Sequence, residues 1–481
     1  MTETLTLAID QGTHATRVLV FDDHGQMVAH ARRPVSLQAR SRAEVEQSPL
    51  ELLDSLQAVV DEILLQPGID AARIGSAGLA TQRSSVLAWE RETGRALSPV
   101  LSWQDTRTAA DLATLDRHEA VIRERTGLRL SPHYGAGKLR WLLRHEADVI
   151  AARAQGALVI GPLASFLLHH LSEASGEVAD HANASRTLLW NLESRDWDTW
   201  LLDLFDIPRD VLPACRPIVA DYGLTRIGRI PLTAVNGDQT AALYAQGMPA
   251  HDTLVVNAGT GAFVLLPTGD SRRSHPELLS GLSRSDGRTA DYYLEGTVNG
   301  AASALDWVAN QYRIADWSAQ ASGWLDEVEA PPVFLNSIGG LGSPWWRPGP
   351  DPVFLPDGNG AHIEPAQALV AAIESIVFLI QANVELLREL NPGVQGIRIG
   401  GGLAPLDGLC RKLANLSGLA VERSGAIEST ARGIAWLAAG CPQSWEPPGV
   451  ERRFLPQDDP RLRERYACFR AALESAFRQG P

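Results

Sequence analysis

The chain has 481 residues, of which 45% are hydrophobic and 21% are charged, and its formal net charge is −14. This composition excludes an intrinsically disordered chain, which would bury too little apolar surface to offset the entropy lost on ordering. The acidic excess argues against partners such as nucleic acids or anionic membranes, because both require clustered lysine and arginine. The length predicts a globular protein of about two to four domains.

Apolar periodicity alternates between strand-like and helix-like patterns along the chain. Alternating apolar positions predict strands over residues 4–9, 17–22, 74–80, 85–89, 158–160, 254–257, 262–266 and 397–399. Helical spacing predicts helices over residues 49–65, 165–171, 366–387 and 461–477, and one that begins near residue 406. This mixture is typical of an α/β fold.

Cysteine usage and the apolar runs indicate the compartment. The four cysteines are far apart and form no CxxC pair, so their spacing supports neither a disulfide framework nor a zinc site. The N-terminal segment lacks the features of a secretory signal. The longest apolar run, residues 156–171, is shorter than the roughly 20 residues that a membrane-spanning helix needs. We therefore expect a cytoplasmic protein without membrane insertion.

A glycine–threonine turn between two strands occurs near the start of each half of the chain. The first turn contains Gly12 and Thr13, and the second contains Gly259, Thr260 and Gly261. The repetition predicts two related α/β domains with a boundary near residues 247–252.

Glycine-rich turns at strand ends are candidate phosphate-binding sites, because their backbone N–H groups can point together at an anion. Asp10, at the end of the first strand, is suited to a hydrated Mg²⁺, which needs one or two carboxylates. The glycines at 400–402 precede a predicted helix, where a nucleotide can lie against the backbone. Each turn alone is also consistent with an ordinary hairpin or loop, and the chain has no GxxxxGK[ST] motif.

Asp238 lies between an apolar strand and a predicted helix. One interpretation is a helix N-cap, since aspartate side chains accept hydrogen bonds from the first turn. The other is a general base that takes a proton from a hydroxyl group near the phosphates. The residues alone leave both interpretations open.

Several stretches in collinear order resemble the FGGY family of carbohydrate kinases, and within it the glycerol kinase branch. The resemblance covers nearly the whole chain and is carried by segments such as "LAIDQGTHATRVLVFD", "GDQTAALYAQG", "NAGTGAFVLLPTG", "LEGTVNGAAS" and "RIGGGLAPLDGLCRKLANLSGLAVER". It implies two actin-like, ribonuclease H-like ATPase domains that flank a catalytic cleft. Residues 1–247 would carry the substrate and phosphate side, residues 248–441 the nucleotide side, and residues 442–481 a C-terminal extension that packs back on the domains.

The same resemblance implies transfer of the γ-phosphoryl group of ATP, with Mg²⁺, to a hydroxyl of a small polyol or sugar, and a possible homodimer. Asp238 would be the catalytic base and would share the Mg²⁺ with Asp10. The nucleotide and its phosphates would contact Gly12, Thr13, His14, Arg17, Gly259, Thr260, Gly261, Gly401, Gly402 and Leu406. The acceptor would contact Arg83, Ser84, Trp103, His133, Tyr134, Asp238, Gln239 and Phe263.

The acceptor residues depart from the glycerol kinase pattern at two positions. Ser84 replaces the glutamate of "QRET", and His133 replaces the tyrosine of "DPYFSGTK", with Tyr134 beside it. A missing hydrogen-bond partner can change substrate discrimination strongly. We therefore expect an acceptor other than glycerol, such as a larger polyol or a ketose. The alternative is an authentic glycerol kinase in which water or another group compensates for Ser84.

The nucleotide side departs as well. Ala302 replaces a usual glycine, Asp306 a frequent glutamine and Leu406 an asparagine, while His14 follows Thr13 in place of a small hydroxyl residue. These changes leave a third alternative, a non-enzymatic nucleotide-binding regulator on the same fold. The retained Asp238 argues for catalysis, because nucleotide binding alone does not need a base.

Overall fold

The computed structural model describes residues 4–173, 176–355, 362–425 and 428–478. In the described part of the first half, the strands are β1 (Leu5–Gln11), β2 (Ala15–Phe21), β3 (Met27–Pro34), β4 (Gln38–Ala39), β5 (Val45–Gln47), β6 (Ile74–Thr81), β7 (Val86–Glu90), β8 (Val100–Leu101), β9 (Leu158–Pro162), β10 (Val178–Asp180), β11 (Trp190–Asn191), β12 (Asp196–Trp197), β13 (Ala214–Arg216) and β14 (Leu232–Gly237). Its helices are α1 (Pro49–Leu64), α2 (Ala109–Ala113), α3 (Glu119–Thr126), α4 (Gly135–His145), α5 (Ala147–Ala154), α6 (Leu163–Leu171), α7 (His181–Ser185), α8 (Thr199–Phe205) and α9 (Asp238–Ala242).

The second half continues the alternation. Its strands are β15 (Thr253–Ala258), β16 (Ala262–Gly269), β17 (Leu279–Ser285), β18 (Ala290–Val298), β19 (Phe334–Leu335), β20 (Val353–Phe354), β21 (Gly396–Gly400), β22 (Ala420–Ser424) and β23 (Val450–Phe454). Its helices are α10 (Ala302–Tyr312), α11 (Trp317–Glu327), α12 (Pro365–Leu390), α13 (Asp407–Ser417), α14 (Ser429–Ala438) and α15 (Pro460–Arg478). Every strand and helix predicted from periodicity is present, with ends within three residues of the prediction.

Two large sheets repeat one topology. The first has the order β14-β6-β1-β2-β3, with β1 antiparallel to β2 and parallel to β6. The second has the order β17-β18-β16-β15-β21-β22-β23, with β15 antiparallel to β16 and parallel to β21. In each sheet a central hairpin is thus flanked on one side by a parallel strand. The prediction of two related α/β domains from the repeated turn is confirmed.

A smaller five-stranded sheet, β4-β5-β8-β7-β9, lies beside the first large sheet. The loop from β6 to β7 carries Arg83 and Ser84, and Trp103 follows β8 directly. Residues 131–134 directly precede α4, and α4 packs against β7 and β9. This sheet therefore brings together three segments that are distant in sequence.

Helix α14 belongs to the second half of the chain but packs on the first sheet, against β1, β6, β14 and α9. A Cβ atom at Gly433 would overlap the carbonyl oxygen of Ala241, so glycine permits this close approach of α14 to α9. Arg432, on the same helix, donates to the carbonyl oxygens of Ala245, Gly25 and Glu446. The two halves are therefore joined by a shared core as well as by a linker.

Helix α12 forms the centre of the second core. It is long and apolar enough to cross a membrane, but 89% of its most apolar window is buried inside the protein. Glu374, near its middle, is 1% exposed and pairs with Lys412 of α13 and Arg465 of α15 at 2.6–2.7 Å. The buried acid therefore anchors the C-terminal helix to the second core.

Candidate active site

Asp10 is the penultimate residue of β1, just before the first glycine–threonine turn. It lies opposite Arg17 in the strand register, and the Arg17 Nη1 donates to Asp10 Oδ2 at 3.0 Å. Burial raises the pKa of Asp10 to about 7, against the opposing charge of Arg17, and the neighbouring carboxylate of Asp238 raises it further. The hairpin thus presents a buried carboxylate close to a second one, an arrangement that a cation would stabilise.

Hydrogen bonds from residues in and next to the small sheet hold the tip of this hairpin in place. The Thr13 hydroxyl accepts a hydrogen bond from the Trp103 indole at 3.0 Å and donates to Gln82 Oε1 at 3.3 Å. Gln47 donates to the Thr13 carbonyl at 2.8 Å. His14 is exposed beside them. Thr13, which is predicted to contact the phosphates, is therefore in direct contact with Trp103, which is predicted to contact the acceptor.

Asp238 is the first residue of α9, and Gly237 occupies the N-cap position. The N-cap interpretation of Asp238 is therefore wrong. Its Oδ1 accepts from the backbone N–H of Gln239 at 2.7 Å and lies 3.7 Å from Arg83 Nε. Burial raises the pKa of Asp238 while Arg83 opposes the rise. Because the side chain is still 24% exposed, the carboxylate is accessible to a small ligand.

Arg83 connects this carboxylate to the second sheet. Its Nη1 donates to the Tyr293 hydroxyl at 3.1 Å and lies 3.7 Å from Glu295 Oε2. Ser84, the next residue, has a left-handed backbone with φ of 65°. An L-residue in this conformation is unfavourable unless its surroundings hold it.

The predicted acceptor residues His133 and Tyr134 lie next to this group. His133 Nδ1 donates to the Trp103 carbonyl at 3.1 Å, so the other ring nitrogen, Nε2, is the acceptor in the neutral ring, and burial lowers the His133 pKa. Burial raises the pKa of Tyr134 to about 12. The guanidinium of Arg186 lies 5.7 Å from the Tyr134 ring centroid.

Three buried charged residues close to the predicted acceptor residues were given no role from the sequence. Arg186 and Glu295 form a pair with hydrogen bonds of 2.9 and 3.0 Å, which joins α7 to β18. Lys138 is fully buried in α4. Arg186 falls within the "NASRT" stretch of the sequence, but a single arginine there carries no signal of a partner more than one hundred residues away.

The second glycine–threonine turn is closed against α10. The carbonyls of Gly259 and Thr260 accept from the backbone N–H groups of Ala302 and Ser303 at 3.0 and 3.2 Å. Asn257, just before the turn, donates to Gln239 Oε1 at 2.6 Å. Gln239 therefore links the base candidate to the strand that carries this turn.

The remaining nucleotide-side residues are placed differently from one another. Gly401 has φ of +91°, and a Cβ atom there would overlap Asn257 and Ala258, which explains the requirement for glycine. Gly402 is exposed, whereas Leu406 is 7% exposed within the second core. Asp306 accepts from the Trp317 indole at 2.8 Å. Phe263 of β16 packs partly buried against the first core.

The donor set is compatible with Mg²⁺. Within residues 4–173, 176–355, 362–425 and 428–478 there is no group of three or more His, Cys, Asp or Glu that could form an all-protein metal cage. Mg²⁺ typically uses one or two carboxylates together with water and substrate phosphates. Asp10 and Asp238, whose charges raise the pKa of Asp10, supply such a pair.

Comparison with known proteins identifies the family. The model of the FGGY family of carbohydrate kinases, N-terminal domain, matches residues 5–244, and the C-terminal domain model matches residues 254–440. A glycerol kinase of Cereibacter sphaeroides is 34% identical over 95% of this chain and 96% of its own length.

Solved structures show the same two-domain, actin-like fold. Plasmodium falciparum glycerol kinase with ADP superposes with a TM-score of 0.87 and 24% identity over 98% of both chains. A xylulose kinase from Rhodospirillum rubrum superposes with a TM-score of 0.83 and 20% identity over 98% of both chains. The chain therefore belongs to the FGGY family of carbohydrate kinases and is a phosphotransferase that uses an alcohol group as acceptor.

Proposed function

We propose that the protein transfers the γ-phosphoryl group of ATP to a hydroxyl of a small polyol or ketose other than glycerol, with Asp238 as general base. The observation that carries this proposal is the position of Asp238. Its carboxylate is partly exposed at the start of α9, 3.7 Å from Arg83 and close enough to Asp10 to raise the pKa of that residue. A base in this position lies between the acceptor residues and the phosphate hairpin.

The residues of the chain would divide the work as follows. Arg83 and Trp103 orient the acceptor hydroxyl, and Asp238 accepts its proton as the bond to phosphorus forms. The turns at Gly12–Thr13 and at Gly259–Gly261 direct backbone groups at the phosphates from opposite sides of the cleft. Mg²⁺, when bound near Asp10 and Asp238, would neutralise phosphate charge.

The residues predicted to contact the acceptor form what we call the acceptor pocket, and their chemistry favours a substrate other than glycerol. Ser84 offers a short hydroxyl where the glycerol kinase pattern has a carboxylate, which leaves space and removes a charge. The Tyr134 hydroxyl and His133 add polar groups beside that space. A longer acceptor with additional hydroxyls would use both changes, because a buried polar group favours a ligand that pairs with it.

A coupled assay of ATP consumption tests the proposal. We would compare glycerol, tetritols, pentitols, ketopentoses and ketohexoses, confirm the product by mass, and include Asp238→Asn with the exposed Asp326→Asn as its matched control. We expect one acceptor other than glycerol to stimulate turnover, with loss of activity only in Asp238→Asn. Undiminished turnover in Asp238→Asn would refute the role of the base.

Authentic glycerol kinase is the second candidate. The glycerol kinase of Cereibacter sphaeroides, 34% identical to this chain, favours it. Efficient turnover of glycerol in the same assay, with no gain in Ser84→Glu, would establish this candidate and overturn our interpretation of Ser84. If Ser84→Glu instead creates or strongly improves glycerol turnover, position 84 determines the acceptor.

A nucleotide-binding regulator is the non-enzymatic candidate, and ATP binding without turnover on any acceptor would favour it. We further propose a cytoplasmic enzyme that forms a homodimer, with domain boundaries near residues 247 and 441 and without nucleic-acid or membrane partners. Sedimentation velocity would determine the oligomeric state.

A further inference from the structure

Lysine is almost absent from this chain. Of the 43 basic residues, only Lys138 and Lys412 are lysines, and all others are arginines. Lys412 pairs with Glu374 in the second core. Lys138 lies in α4 with no solvent exposure. A protein in which arginine supplies almost all of the basic side chains therefore has one of its two lysines at a fully buried position beside its acceptor pocket.

The hydrogen-bond acceptors around Lys138 are backbone carbonyl groups, and the charges of Asp105 and Arg107 act on it from nearby. Its Nζ donates to the carbonyl oxygens of Ser84 at 3.2 Å, Ser102 at 2.6 Å and His133 at 2.8 Å. An ammonium group has three N–H donors, so each has one acceptor. Burial lowers the pKa of Lys138 to about 7, whereas the neighbouring Asp105 carboxylate favours the charged form.

Each of the three carbonyls belongs to a different segment of the acceptor pocket. Ser84 follows Arg83 in the β6–β7 loop, Ser102 precedes Trp103 after β8, and His133 precedes Tyr134 at the start of α4. The ammonium group therefore touches the backbone of every segment of the small sheet that supplies a predicted acceptor residue. The left-handed backbone of Ser84 is one of the conformations it would hold in place.

The start of α4 explains why lysine is suited to this position. A Cβ atom at Gly135 would lie 3.0 Å from Val86, and one at Gly137 would lie 2.7 Å from the Thr108 hydroxyl. The start of α4 therefore packs closely against Val86 and Thr108. A compact ammonium on a flexible stem fits between three carbonyls, whereas the planar guanidinium of arginine is larger and directs its donors in a fixed fork.

We propose that Lys138 is the positioning residue of the acceptor pocket, which holds the backbone of Ser84, Ser102 and His133 in one arrangement and so sets acceptor affinity. The inference rests on the proposed kinase function for its link to affinity. The structural part is independent of catalysis.

Hydrogen exchange measured by mass spectrometry tests the structural part. Lys138→Met keeps an unbranched chain as long as the lysine stem up to Cε and removes the ammonium group with its three donors; Lys412→Met, which removes a cation from the second core, is the matched control. In Lys138→Met we expect exchange at residues 82–86, 101–105 and 131–135 to accelerate about tenfold or more. We expect no such change in Lys412→Met. Uniform acceleration over the whole chain, or none in the three segments, would overturn the proposal.

Kinetics on the acceptor identified by the screen test the link to affinity. A displacement of about 1 Å in positioned groups can cost on the order of a hundredfold, so we expect the acceptor KM of Lys138→Met to rise about ten- to a hundredfold. The KM for ATP should rise clearly less than the acceptor KM, since Lys138 reaches the phosphate hairpin only indirectly, through the hydrogen bonds of Gln82 and Trp103 to Thr13. Equal increases in both KM values would indicate a general structural role and contradict the proposal.

The exchange experiment and the kinetic experiment can each be refuted independently of the other. Exchange can show that Lys138 fixes the three segments even if no acceptor is found, and turnover can be normal while the exchange prediction is wrong. If Lys138→Met does not fold, Lys138→Gln, which retains two N–H donors at a shorter reach, takes its place with the same expected pattern at smaller amplitude.

Discussion

The ion cluster that joins α15 to the second core gives a prediction that is independent of catalysis. Glu374 accepts three charge-assisted hydrogen bonds of 2.6–2.7 Å, one from Lys412 and two from Arg465, and is 1% exposed. Glu374→Gln retains the shape of the side chain but leaves two largely buried cations without a counter-charge. We expect a loss of about 3 kcal/mol, since breaking a buried pair typically costs about 3–5 kcal/mol.

Hydrogen exchange of α15 measures this loss locally. A reduction of about 3 kcal/mol in the free energy of opening accelerates exchange of the helix about a hundredfold. Asp458→Asn is the control, because Asp458 pairs with Arg463 at the start of the same helix but is 77% exposed, and such pairs contribute at most about 1 kcal/mol. An acceleration in Glu374→Gln no larger than that in Asp458→Asn would refute the reasoning.

Three further predictions concern the cleft. Glu295→Gln removes the carboxylate shared by two buried arginines; urea denaturation should show a loss of about 3 kcal/mol, and a loss below about 1 kcal/mol would contradict the pairing. Gly401→Ala should weaken ADP affinity about tenfold or more in calorimetric titration, whereas Gly418→Ala, at a similar positive φ in open space, should not alter it. Because burial raises the pKa of Asp238, kcat/KM should increase with pH through a value above that of an ordinary aspartate, and Arg83→Met should move this limb to higher pH; an unchanged limb would exclude Asp238 as the titrating base.

The sequence predicts the parts of the structure that depend on local pattern. The two central hairpins are recognisable because each combines alternating apolar residues with a glycine–threonine turn, and the extent of α1 follows from its apolar spacing. Asp10 and Asp238 are recognisable because each is a carboxylate at the end of an apolar strand, and Thr13 because it lies in a glycine–threonine turn. The strand order of the first sheet then brings these residues close together.

Long-range pairing was not predictable in the same way. Lys138, Arg186 and Glu295 acquire their roles only from groups that the fold brings to them, such as the three carbonyls around Lys138. Backbone carbonyls are present at every residue, so no sequence pattern distinguishes the three that Lys138 contacts. Leu406, which the family resemblance places near the nucleotide, is buried in the second core, and the position of a nucleotide relative to it stays a prediction.

The return of α14 to the first sheet has a consequence for synthesis of the protein on the ribosome. The face of β1, β6 and β14 that α14 covers stays open until residue 438 has left the exit tunnel, although the strands themselves emerge much earlier. The N-terminal half can therefore complete its core only after α14, in the second half of the chain, has been made. During that interval an apolar surface is available to chaperones, and a ribosome that stalls between the two halves would release a chain unable to finish folding.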